Sequence, residues 1–364
     1  MSRVILHTEA SLGFGGQEMR ILKEARQFRA EGFEVILAAH PDAKLFLRMQ
    51  EEGFLVYPIR FKKKNALSCI FKLLRVIKKH RVDIINTHSS TDAWLGGIAG
   101  RISRTPIIRT RHLSTAIKSG LNSRILYNVL VDYVITTCEE IVPVIRQQAR
   151  LKKKGCKCIA TGVDSSVINV SSAEVEAFRK RYGIEAQDCV IGTLCVLRSW
   201  KGLSDFSKAA HLLKNEPNLK WLIVGSGGMT DILSQEIKEY GLEGKVILTG
   251  HLEPPFIAIA AMDIFALLST SNEGISQATL QAAYLQKPLI TTPTGGLREV
   301  CLSGITGILV EKKSPEQVAK AVEELLDEKK RAQYGRAAHA LVIEKYTFQR
   351  TIEETKRVYN RLLA

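Results

Sequence analysis

Short apolar segments typical of strands alternate with segments of helical periodicity along almost the whole chain, in two successive series. In the first series, the strand-like segments Val4–His7 and Val35–Ala39 flank Glu18–Glu31, whose apolar residues recur at helical spacing. The alternation pauses over residues 164–189, which are polar and hold one modest helical pattern, and it resumes at Val190–Cys195. Strands that alternate with helices over short links pair in parallel. The sequence therefore predicts an α/β fold of two doubly wound, Rossmann-like domains.

The pause in the pattern sets the predicted domain boundary. A chain of 364 residues exceeds the usual size of a single hydrophobic core. We predict an N-terminal domain over residues 1–163, a second domain over residues 164–340, and a C-terminal helix over residues 341–364 that crosses back to the first domain. Ligands of parallel sheets bind at the carboxyl ends of the strands. Two such sheets that face each other are therefore expected to share one ligand-binding cleft.

The balance of charged residues favours anionic partners. Lys and Arg number 52 against 37 Asp and Glu, which gives a net charge of +15. Such a protein attracts nucleic acid, acidic lipid or phosphorylated metabolites. No apolar stretch approaches the roughly 20 residues that cross a bilayer, and the start of the chain is unlike a signal peptide. The seven scattered cysteines suit free thiols in a reducing compartment. We therefore expect a cytoplasmic protein without a bound metal.

Two glycine pairs stand where strand-like segments give way to helix-like ones. Gly15-Gly16 follows the apolar start of the chain, and Gly295-Gly296 lies in the second half, with Glu299 three residues later. The N-terminus of a helix presents unpaired N–H groups and the positive end of its dipole. A glycine turn lets an anion approach that backbone closely. Together with Glu273, which leads a helix-like segment, these turns predict a site that binds a phosphorylated ligand.

Eight short motifs, in order along nearly the whole chain, resemble those of the GT-B glycosyltransferases, in particular the large retaining glycosyltransferase family 4. The motifs of the first half are Gly15-Gly16-Gln17-Glu18, Asp83-Ile84-Ile85-Asn86-Thr87-His88, Thr110-Arg111-His112 and Thr161-Gly162-Val163-Asp164. Those of the second half are Leu197–Gly202, Ile223–Gly227, Glu273–Ala282 and Gly295–Glu299. Each motif alone is weak, whereas eight in order at fitting distances are specific. The chain resembles in particular the members that build bacterial lipopolysaccharide and other cell-envelope glycans.

The resemblance implies a GT-B fold, in which an N-terminal domain binds the acceptor and a C-terminal domain binds a nucleotide-diphosphate sugar. It implies two catalytic residues, Glu273 at the hydroxyls of the transferred sugar and His112 at its primary hydroxyl, and it places His88 on the acceptor side. It also implies front-face attack with retention, in which the leaving phosphate accepts the proton of the acceptor. The implied donor-binding residues are Gly15, Gly16, Arg198, Lys201, Gly225, Ile275, Ser276, Gln277, Gln281, Gly295 and Gly296.

Three residues depart from the pattern of the family. Gln281 stands where a second glutamate is usual, Val196 where an arginine is usual, and Thr161 where an asparagine is usual. If the segment were helical throughout, Glu273 and Gln281 would lie roughly 12 Å apart along the axis, about the separation of the sugar and the ribose of a donor. A glutamine accepts from one ribose hydroxyl and donates to another, but it cannot make two charge-assisted contacts as acceptor.

The chain offers fixed cations instead of a metal site. It contains no Asp-x-Asp sequence, and Arg198 and Lys201 follow a strand-like segment, where their charges can reach both phosphates. Fixed cations and helix ends can stabilise a leaving diphosphate, so we expect no cofactor apart from the nucleotide sugar itself. We expect Glu273→Ala to lower turnover by on the order of 10²-fold, because transition-state contacts are lost, and to leave the melting temperature nearly unchanged.

The segment Arg60–Arg81 carries nine Lys or Arg and no acidic residue. Its apolar residues are predicted to share one helix face, with the cations on the other: Leu67, Ile70, Phe71, Leu74 and Ile77 against Lys72, Arg75 and Lys79. A basic amphipathic helix can lie on an anionic membrane surface, where a lipid-linked acceptor would be found. It can equally pack on a sheet with a solvated outer face. A second basic cluster runs from Arg146 to Lys157.

Other functions fit the sequence less well or remain open. Nucleic-acid binding lacks a recognisable aromatic or zinc-finger motif, and aromatic residues make up only 7% of the chain. The glycines at 13–16 do not have the spacing of a dinucleotide-binding dehydrogenase. A non-catalytic protein that binds nucleotide sugars or carbohydrates, prompted by Gln281, remains open. So does an epimerase or phosphorylase on the GT-B fold. No oligomeric state is predicted.

Overall fold

The computed structural model describes residues 2–112, 117–151 and 155–364. The chain forms two compact units, one made of Met1–Ala160 and Arg350–Ala364 and the other of Thr161–Gln349. Residues 152–154, three lysines of the second basic cluster, lie outside the described residues. Each unit is built on its own parallel sheet, as predicted for two Rossmann-like domains.

The first unit contains seven parallel strands: β1 (Val4–Glu9), β2 (Glu34–Ala39), β3 (Leu55–Pro58), β4 (Ile84–Thr87), β5 (Ile107–Arg111), β6 (Tyr133–Thr136) and β7 (Gly155–Cys158). Their order across the sheet is β3-β2-β1-β4-β5-β6-β7. The chain thus runs outward from β1 to β3 and returns to the other side of β1 with β4. Crossovers between parallel strands are right-handed, so this reversal places helices on both faces of the sheet. The reversal lies between β1 and β4, which makes their carboxyl ends the expected place for a ligand.

The helices of the first unit are α1 (Gly16–Ala30), α2 (Lys44–Glu51), α3 (Ala66–His80), α4 (Ser90–Ser103), α5 (Leu121–Ile125), α6 (Ile141–Gln148) and α15 (Phe348–Leu363). One apolar core of this unit forms where β1, β2 and β4 meet α3 and α4, and it includes Leu6, Ile36, Leu73, Ile85 and Leu95. β1 is buried along its entire length, although its last three residues are His7, Thr8 and Glu9. Buried polar side chains at a strand end need partners, which the site described below supplies.

The second unit contains six parallel strands: β8 (Cys189–Leu194), β9 (Leu219–Val224), β10 (Val246–Gly250), β11 (Ile264–Leu267), β12 (Leu289–Thr291) and β13 (Gly307–Leu309). Their order is β10-β9-β8-β11-β12-β13, so the reversal lies between β8 and β11. The helices are α7 (Ser172–Arg181), α8 (Leu203–Leu212), α9 (Thr230–Glu239), α10 (Phe256–Ala260), α11 (Gln277–Tyr284), α12 (Leu297–Val300), α13 (Pro315–Leu325) and α14 (Glu328–Lys345). Trp221 and Phe206 pack edge to face in the core, with ring centroids 4.9 Å apart.

The end of the chain differs from the single helix expected over residues 341–364. The helix is interrupted between α14 and α15, where Thr347 forms an isolated bridge with Val163. The N–H of Val163 donates to the carbonyl of Tyr346 at 2.7 Å, and its carbonyl accepts from the N–H of Phe348 at 2.8 Å. A Cβ on Gly162 would lie 2.1 Å from the carbonyl oxygen of Thr347. The glycine of the Thr161–Asp164 motif therefore permits the contact that divides the predicted helix in two.

The last helix, α15, is part of the first unit. Tyr359 is fully buried there, and its hydroxyl accepts a hydrogen bond from Asn86 Nδ2 at 3.0 Å. Asn86 Oδ1 in turn accepts from Thr110 Oγ1 at 2.8 Å. Two of the sequence motifs thus include residues that anchor this helix beside β4 and β5.

The packing face of α3 agrees only in part with the predicted one. Cys69, Leu73, Val76 and Ile77 are its buried residues. Leu67 and Phe71, which the helical spacing assigned to the apolar face, are 85% and 59% exposed. Ile70, Leu74 and Ile77 of the predicted face do pack on the core, so the prediction was wrong for Leu67 and Phe71 alone. The spacing of apolar residues does not distinguish a face on the sheet from an apolar stripe in solvent. The outer surface of α3 consequently carries large apolar side chains among its cations.

Candidate functional site

Two loops meet at the reversal point of the second sheet. β8 and β11 are neighbours there, and the loops that follow them carry Arg198 and Lys201 on one side and Ser269 and Glu273 on the other. The sequence predicted Arg198, Lys201 and Glu273 as functional residues from different motifs. The sheet order explains why loops some 70 residues apart in the chain come together here.

Lys201 and Glu273 form a buried ion pair. The ammonium of Lys201 contacts Glu273 Oε1, and the two side chains are 16% and 7% exposed. The same carboxylate oxygen accepts from Ser269 Oγ at 2.6 Å. Glu273 lies in the loop before α11, so the helical spacing of roughly 12 Å considered for Glu273 and Gln281 does not apply. Ser276 ends that loop as the N-cap of α11, where its Oγ accepts from the N–H of Thr279.

A glycine fixes the position of Lys201. Ser199–Lys201 form a single 3₁₀ turn that ends at Gly202, whose φ is 71°. A Cβ on Gly202 would lie 2.1 Å from the carbonyl oxygen of Leu268. The N–H of Thr270 donates to the carbonyl of Trp200 at 2.8 Å. The Lys-Gly pair of the motif is therefore required for the close approach of the two loops that brings the lysine to the glutamate.

The structure does not bring Arg198 into the ion pair. Its side chain is exposed, and its guanidinium lies 5.1 Å from the ring centre of Trp200, within cation–π range. Gly225 has a packing role, because its φ is 136° and a Cβ there would lie 1.9 Å from the carbonyl oxygen of Cys195. It allows the ends of β8 and β9 to approach each other.

Four of the residues predicted to bind the donor, Ile275, Ser276, Gln277 and Gln281, lie in and before α11. Ile275 is buried, and Gln277 donates through Nε2 to the carbonyl of Thr161 at 2.5 Å. Gln281 is only 9% exposed. Within the described part of the chain, its side-chain amide makes no hydrogen bond. Its amide nitrogen and oxygen are not among the buried polar atoms that lack a partner, so they remain available to a ligand.

The second glycine pair precedes a single helical turn. Gly295 has a φ of 55°, and Gly296 is the N-cap of α12, which spans only Leu297–Val300. Upstream, the hydroxyls of Thr292 and Thr294 both donate to the carbonyl of Ser269 at 2.5 Å. These bonds tie the loop after β12 to the residue that supports Glu273. The predicted helix after this glycine pair is therefore α12, which is only one turn long.

The first glycine pair opens a full helix. Gly15 is the N-cap of α1, and its N–H donates to Glu18 Oε2 at 2.8 Å. Glu18 is buried, which explains why the motif carries a glutamate three residues after its first glycine. A Cβ on Gly16 would meet nothing within 4 Å. The turn therefore leaves open space beside the amino end of α1.

Three histidines form a chain of hydrogen bonds at the reversal point of the first sheet. His112 Nε2 lies 2.9 Å from His88 Nδ1, and His88 Nε2 lies 2.9 Å from His7 Nδ1. The rings stand at the ends of β5, β4 and β1, which are neighbours in the sheet. Sequence reasoning predicted His112 and His88 separately and missed both their contact and His7.

Burial keeps these imidazoles neutral. It lowers the pKa of His7 to about 4. It also holds the pKa values of His88 and His112 well below the usual range, with the charges of Arg20 and Arg109 as further causes. A neutral histidine donates through one ring nitrogen and accepts through the other, so the three rings can be hydrogen-bonded in series without a charge.

A buried carboxyl pair adjoins the histidines. Burial, followed by repulsion from Glu9, raises the pKa of Asp92 to about 7. Asp92 Oδ2 accepts from Thr8 Oγ1 at 2.8 Å and from the N–H of His88 at 2.9 Å. Burial also raises the pKa of Glu9, which accepts hydrogen bonds from Ser89 and from Gln17. Sequence reasoning missed Glu9 and Asp92. The signal for Glu9 was the polar end, His7-Thr8-Glu9, of the otherwise apolar strand β1.

The described ranges 2–112, 117–151 and 155–364 hold no cluster of three or more His, Cys, Asp or Glu arranged to bind a metal ion. They also hold no helix with the length and apolar character needed to cross a membrane.

Comparison with known proteins relates both halves of the chain to transferases of sugars. Residues 14–167 match the family model described as Glycosyltransferase Family 4, and residues 174–340 match the one described as Glycosyl transferases group 1. The capsular polysaccharide biosynthesis glycosyltransferase CapM of Staphylococcus aureus is 24% identical over 318 residues, which cover 82% of each protein.

Solved structures give the fold. A glycosyltransferase from Rickettsia africae superposes with a TM-score of 0.91 at 20% identity, over 100% of this chain and 99% of that one. HepE of Anabaena, solved in complex with UDP-glucose, superposes with a TM-score of 0.85 at 22% identity, over 98% and 99% of the two chains. These likenesses confirm the predicted GT-B fold class of two Rossmann-like domains.

Proposed function

Since the chain belongs to the glycosyltransferases of family 4 and group 1, we propose that it is a retaining, metal-independent enzyme that uses a nucleotide-diphosphate sugar as its donor. The acceptor in this proposal is a glycan or lipid-linked glycan of the cell envelope, such as lipopolysaccharide. The similarity to CapM supports the cell-envelope acceptor. The UDP-glucose bound by HepE supports a UDP-sugar as the first donor to test.

The observation that carries the proposal is the Lys201–Glu273 pair at the reversal point of the second sheet. In this proposal Glu273 accepts hydrogen bonds from hydroxyls of the transferred sugar, held in place by Ser269. Lys201, together with Arg198, binds the diphosphate and stabilises its charge as the bond to the sugar breaks. Gln281, with its unused amide, binds the ribose. His112 of the first unit contacts the sugar in this proposal. His88, which the resemblance places on the acceptor side, is buried with both ring nitrogens bonded to His7 and His112, so it acts through His112.

Metal independence is proposed from the cations that the chain itself supplies. A leaving diphosphate needs positive charge or hydrogen-bond donors as it departs. Two side-chain cations follow β8, and the sequence contains no Asp-x-Asp through which many transferases hold a metal. With retention, the leaving phosphate oxygen takes the proton of the acceptor hydroxyl on the same face of the sugar.

The first test is a comparison of donors. Thermal-shift assays with UDP-, GDP- and ADP-sugars identify the donor, since a ligand well above its dissociation constant raises the melting temperature. Hydrolysis of that donor is then measured in excess EDTA for the wild type, Glu273→Gln, and the control Glu323→Gln on the exposed side of α13. We expect hydrolysis by the wild type and the control, and a loss on the order of 10²-fold in Glu273→Gln. Activity that requires added Mn²⁺, or equal activity in all three proteins, contradicts the proposal.

We also propose that α3 holds the enzyme on an anionic membrane surface. Leu67 and Phe71 are the exposed apolar residues of its outer side. Arg75 lies with its guanidinium 5.1 Å from the ring centre of Phe71. Beside them, β3 and α3 form a surface pocket of about 450 Å³, lined by Tyr57, Pro58, Ile59, Lys72, Arg75, Val76 and Lys79. Apolar side chains ringed by cations match the acyl region and the headgroups of an acidic bilayer.

Vesicle co-sedimentation tests the membrane proposal. Reversal of Lys72, Arg75 and Lys79 to Glu should abolish binding to vesicles with acidic lipid, and Phe71→Ser should weaken it at all salt concentrations. Reversal of three exposed cations in the second unit gives a control with the same net charge: Lys214, Lys320 and Arg336. Equal binding by the two reversed proteins shows that the α3 surface is not the docking site.

A further inference from the structure

The series of hydrogen-bonded histidines formed by His7, His88 and His112 has two different ends, and these ends determine which way its hydrogen bonds point. At the inner end, His7 is fully buried, and its Nε2 has no hydrogen-bond partner in the described part of the chain. At the outer end, His112 is partly exposed, and its Nδ1 makes no hydrogen bond within the described residues. The two internal contacts use the four ring nitrogens that remain.

Each contact between two neutral imidazoles holds one proton, because one nitrogen must donate and the other accept. A neutral histidine carries a single ring proton. The ring nitrogen that carries the proton in His7 therefore fixes which nitrogen carries it in His88, and His88 fixes it in the same way for His112. Only two arrangements satisfy both contacts, one with the protons on every Nδ1 and one with the protons on every Nε2.

The unpartnered inner nitrogen distinguishes the two arrangements. With protons on every Nε2, His7 would bury an N–H that donates to nothing. With protons on every Nδ1, His7 buries only an unused lone pair. Orphaned buried donors are rarer in proteins than under-used acceptors, since a donor has one proton and loses its whole interaction. The arrangement with protons on every Nδ1 is favoured, and it gives His112 a proton on its outer nitrogen.

We propose that His7 and His88 are positioning residues that hold His112 as a hydrogen-bond donor through Nδ1, aimed at an oxygen of the substrate. This inference rests on the proposed function, in which His112 contacts the transferred sugar. A neutral imidazole with its proton on Nδ1 can donate to a hydroxyl or phosphate oxygen, but it cannot take a proton at that atom. His112 therefore binds and orients the substrate and does not act as a base.

The protonation pattern is directly measurable. Long-range ¹H–¹⁵N spectra of histidine-labelled protein distinguish Nδ1–H from Nε2–H tautomers, and single substitutions assign the signals. We expect the Nδ1–H form for all three histidines. A dominant Nε2–H form of His112 overturns the proposal. The spectra need no substrate, so they stand even if the protein proves not to transfer sugars.

Substitution of His112 or His88 by asparagine or glutamine tests the function of the hydrogen-bonded histidines. The amide nitrogen of asparagine lies where Nδ1 lies in histidine, whereas that of glutamine lies near Nε2. His112→Asn should therefore retain at least about tenfold more turnover than His112→Gln, since one transition-state donor is worth on the order of 10²-fold. His88→Asn, which can still donate to His112, should likewise exceed His88→Gln.

The control for these variants is the same exchange at His211, whose Nδ1 contacts the carbonyl of Tyr240 at 3.3 Å in the second unit. His211→Asn and His211→Gln should turn over alike. Circular dichroism confirms that each variant is folded, and the comparison of Asn with Gln is made only between folded proteins. Equal turnover of folded Asn and Gln variants at both 112 and 88 contradicts the assigned direction.

Discussion

The ion pair between Lys201 and Glu273 should contribute measurably to the stability of the second unit. Its two side chains are 16% and 7% exposed, so little water is available to replace either partner. Glu273→Gln keeps the shape and the contact with Ser269 but removes the charge. Lys201→Met keeps most of the length and removes the ammonium. A double-mutant cycle with these two substitutions isolates the interaction.

The magnitude follows from the burial of the pair. A hydrogen bond to a charged group contributes about 1.5–3 kcal/mol, and loss of one partner of a fully buried pair costs about 3–5 kcal/mol. Because Lys201 retains some exposure, we expect a coupling of about 2–3 kcal/mol. For a unit of this size, that corresponds to roughly 4–12 °C in melting temperature. The burial argues against the expectation from sequence that removal of the Glu273 carboxylate leaves the melting temperature nearly unchanged.

The assay is denaturant unfolding followed by tryptophan fluorescence in a Trp94→Phe background. Trp200 and Trp221 then report on the second unit alone. The matched control is the cycle of Lys320→Met and Glu323→Gln, exposed positions one helical turn apart on α13, where coupling should stay below about 0.5 kcal/mol. If the Lys201 and Glu273 substitutions are additive within that limit, the buried pair does not stabilise the unit and the reasoning fails.

Three further outcomes are expected. Burial raises the folded-state pKa of Asp92 from its ordinary value of 3.8 to about 7, so its contribution to stability is present at low pH and is lost as pH rises through 7. Asp92→Asn should match the wild type near pH 4 and exceed it at pH 8 in thermal melts, and equal pH profiles contradict this. Gln281→Leu should weaken UDP binding by about 1–3 kcal/mol in calorimetry, with a smaller loss for 2′-deoxy-UDP; equal losses remove Gln281 from the ribose. Gly202→Ala should lower the melting temperature by several degrees, roughly 2 kcal/mol or more, whereas Gly228→Ala, where a Cβ meets nothing within 4 Å, should not; equal melting temperatures contradict the packing argument.

Continuous apolar runs made most of the sheet predictable from sequence. β1, β2, β8 and β11 are largely buried strands, and each contains a run of at least three apolar residues, such as Val4-Ile5-Leu6 in β1. β7 was not predicted, because it is a short edge strand of sequence Gly-Cys-Lys-Cys with one face in solvent. β13 was also not predicted; it is a three-residue strand that begins with a glycine, so its apolar run is only Ile308-Leu309.

The sequence predicted several residues of the candidate site, but it did not predict which of them are in contact. Motifs indicated Lys201, Glu273, His88 and His112, because each follows a strand. Their contacts depend on which strands are neighbours, and this is set by the order of strands in the sheet. His7 carried no motif, since a histidine inside an apolar strand looks like any buried polar residue. Glu273 precedes the helix whose N-cap is Ser276, so the conformation of its loop could not be read from helical periodicity.

The most direct test of the central claim is the anomeric configuration of the sugar released from the donor in the presence of excess EDTA. Proton NMR, recorded within the first minutes of reaction with UDP-glucose or whichever donor the thermal shifts select, separates the two anomers before they equilibrate. A retaining, metal-independent transferase is expected to release the sugar first with the same anomeric configuration as in the donor, at a rate that EDTA does not change. Initial release of the opposite anomer, or release only after Mn²⁺ is added, would contradict it.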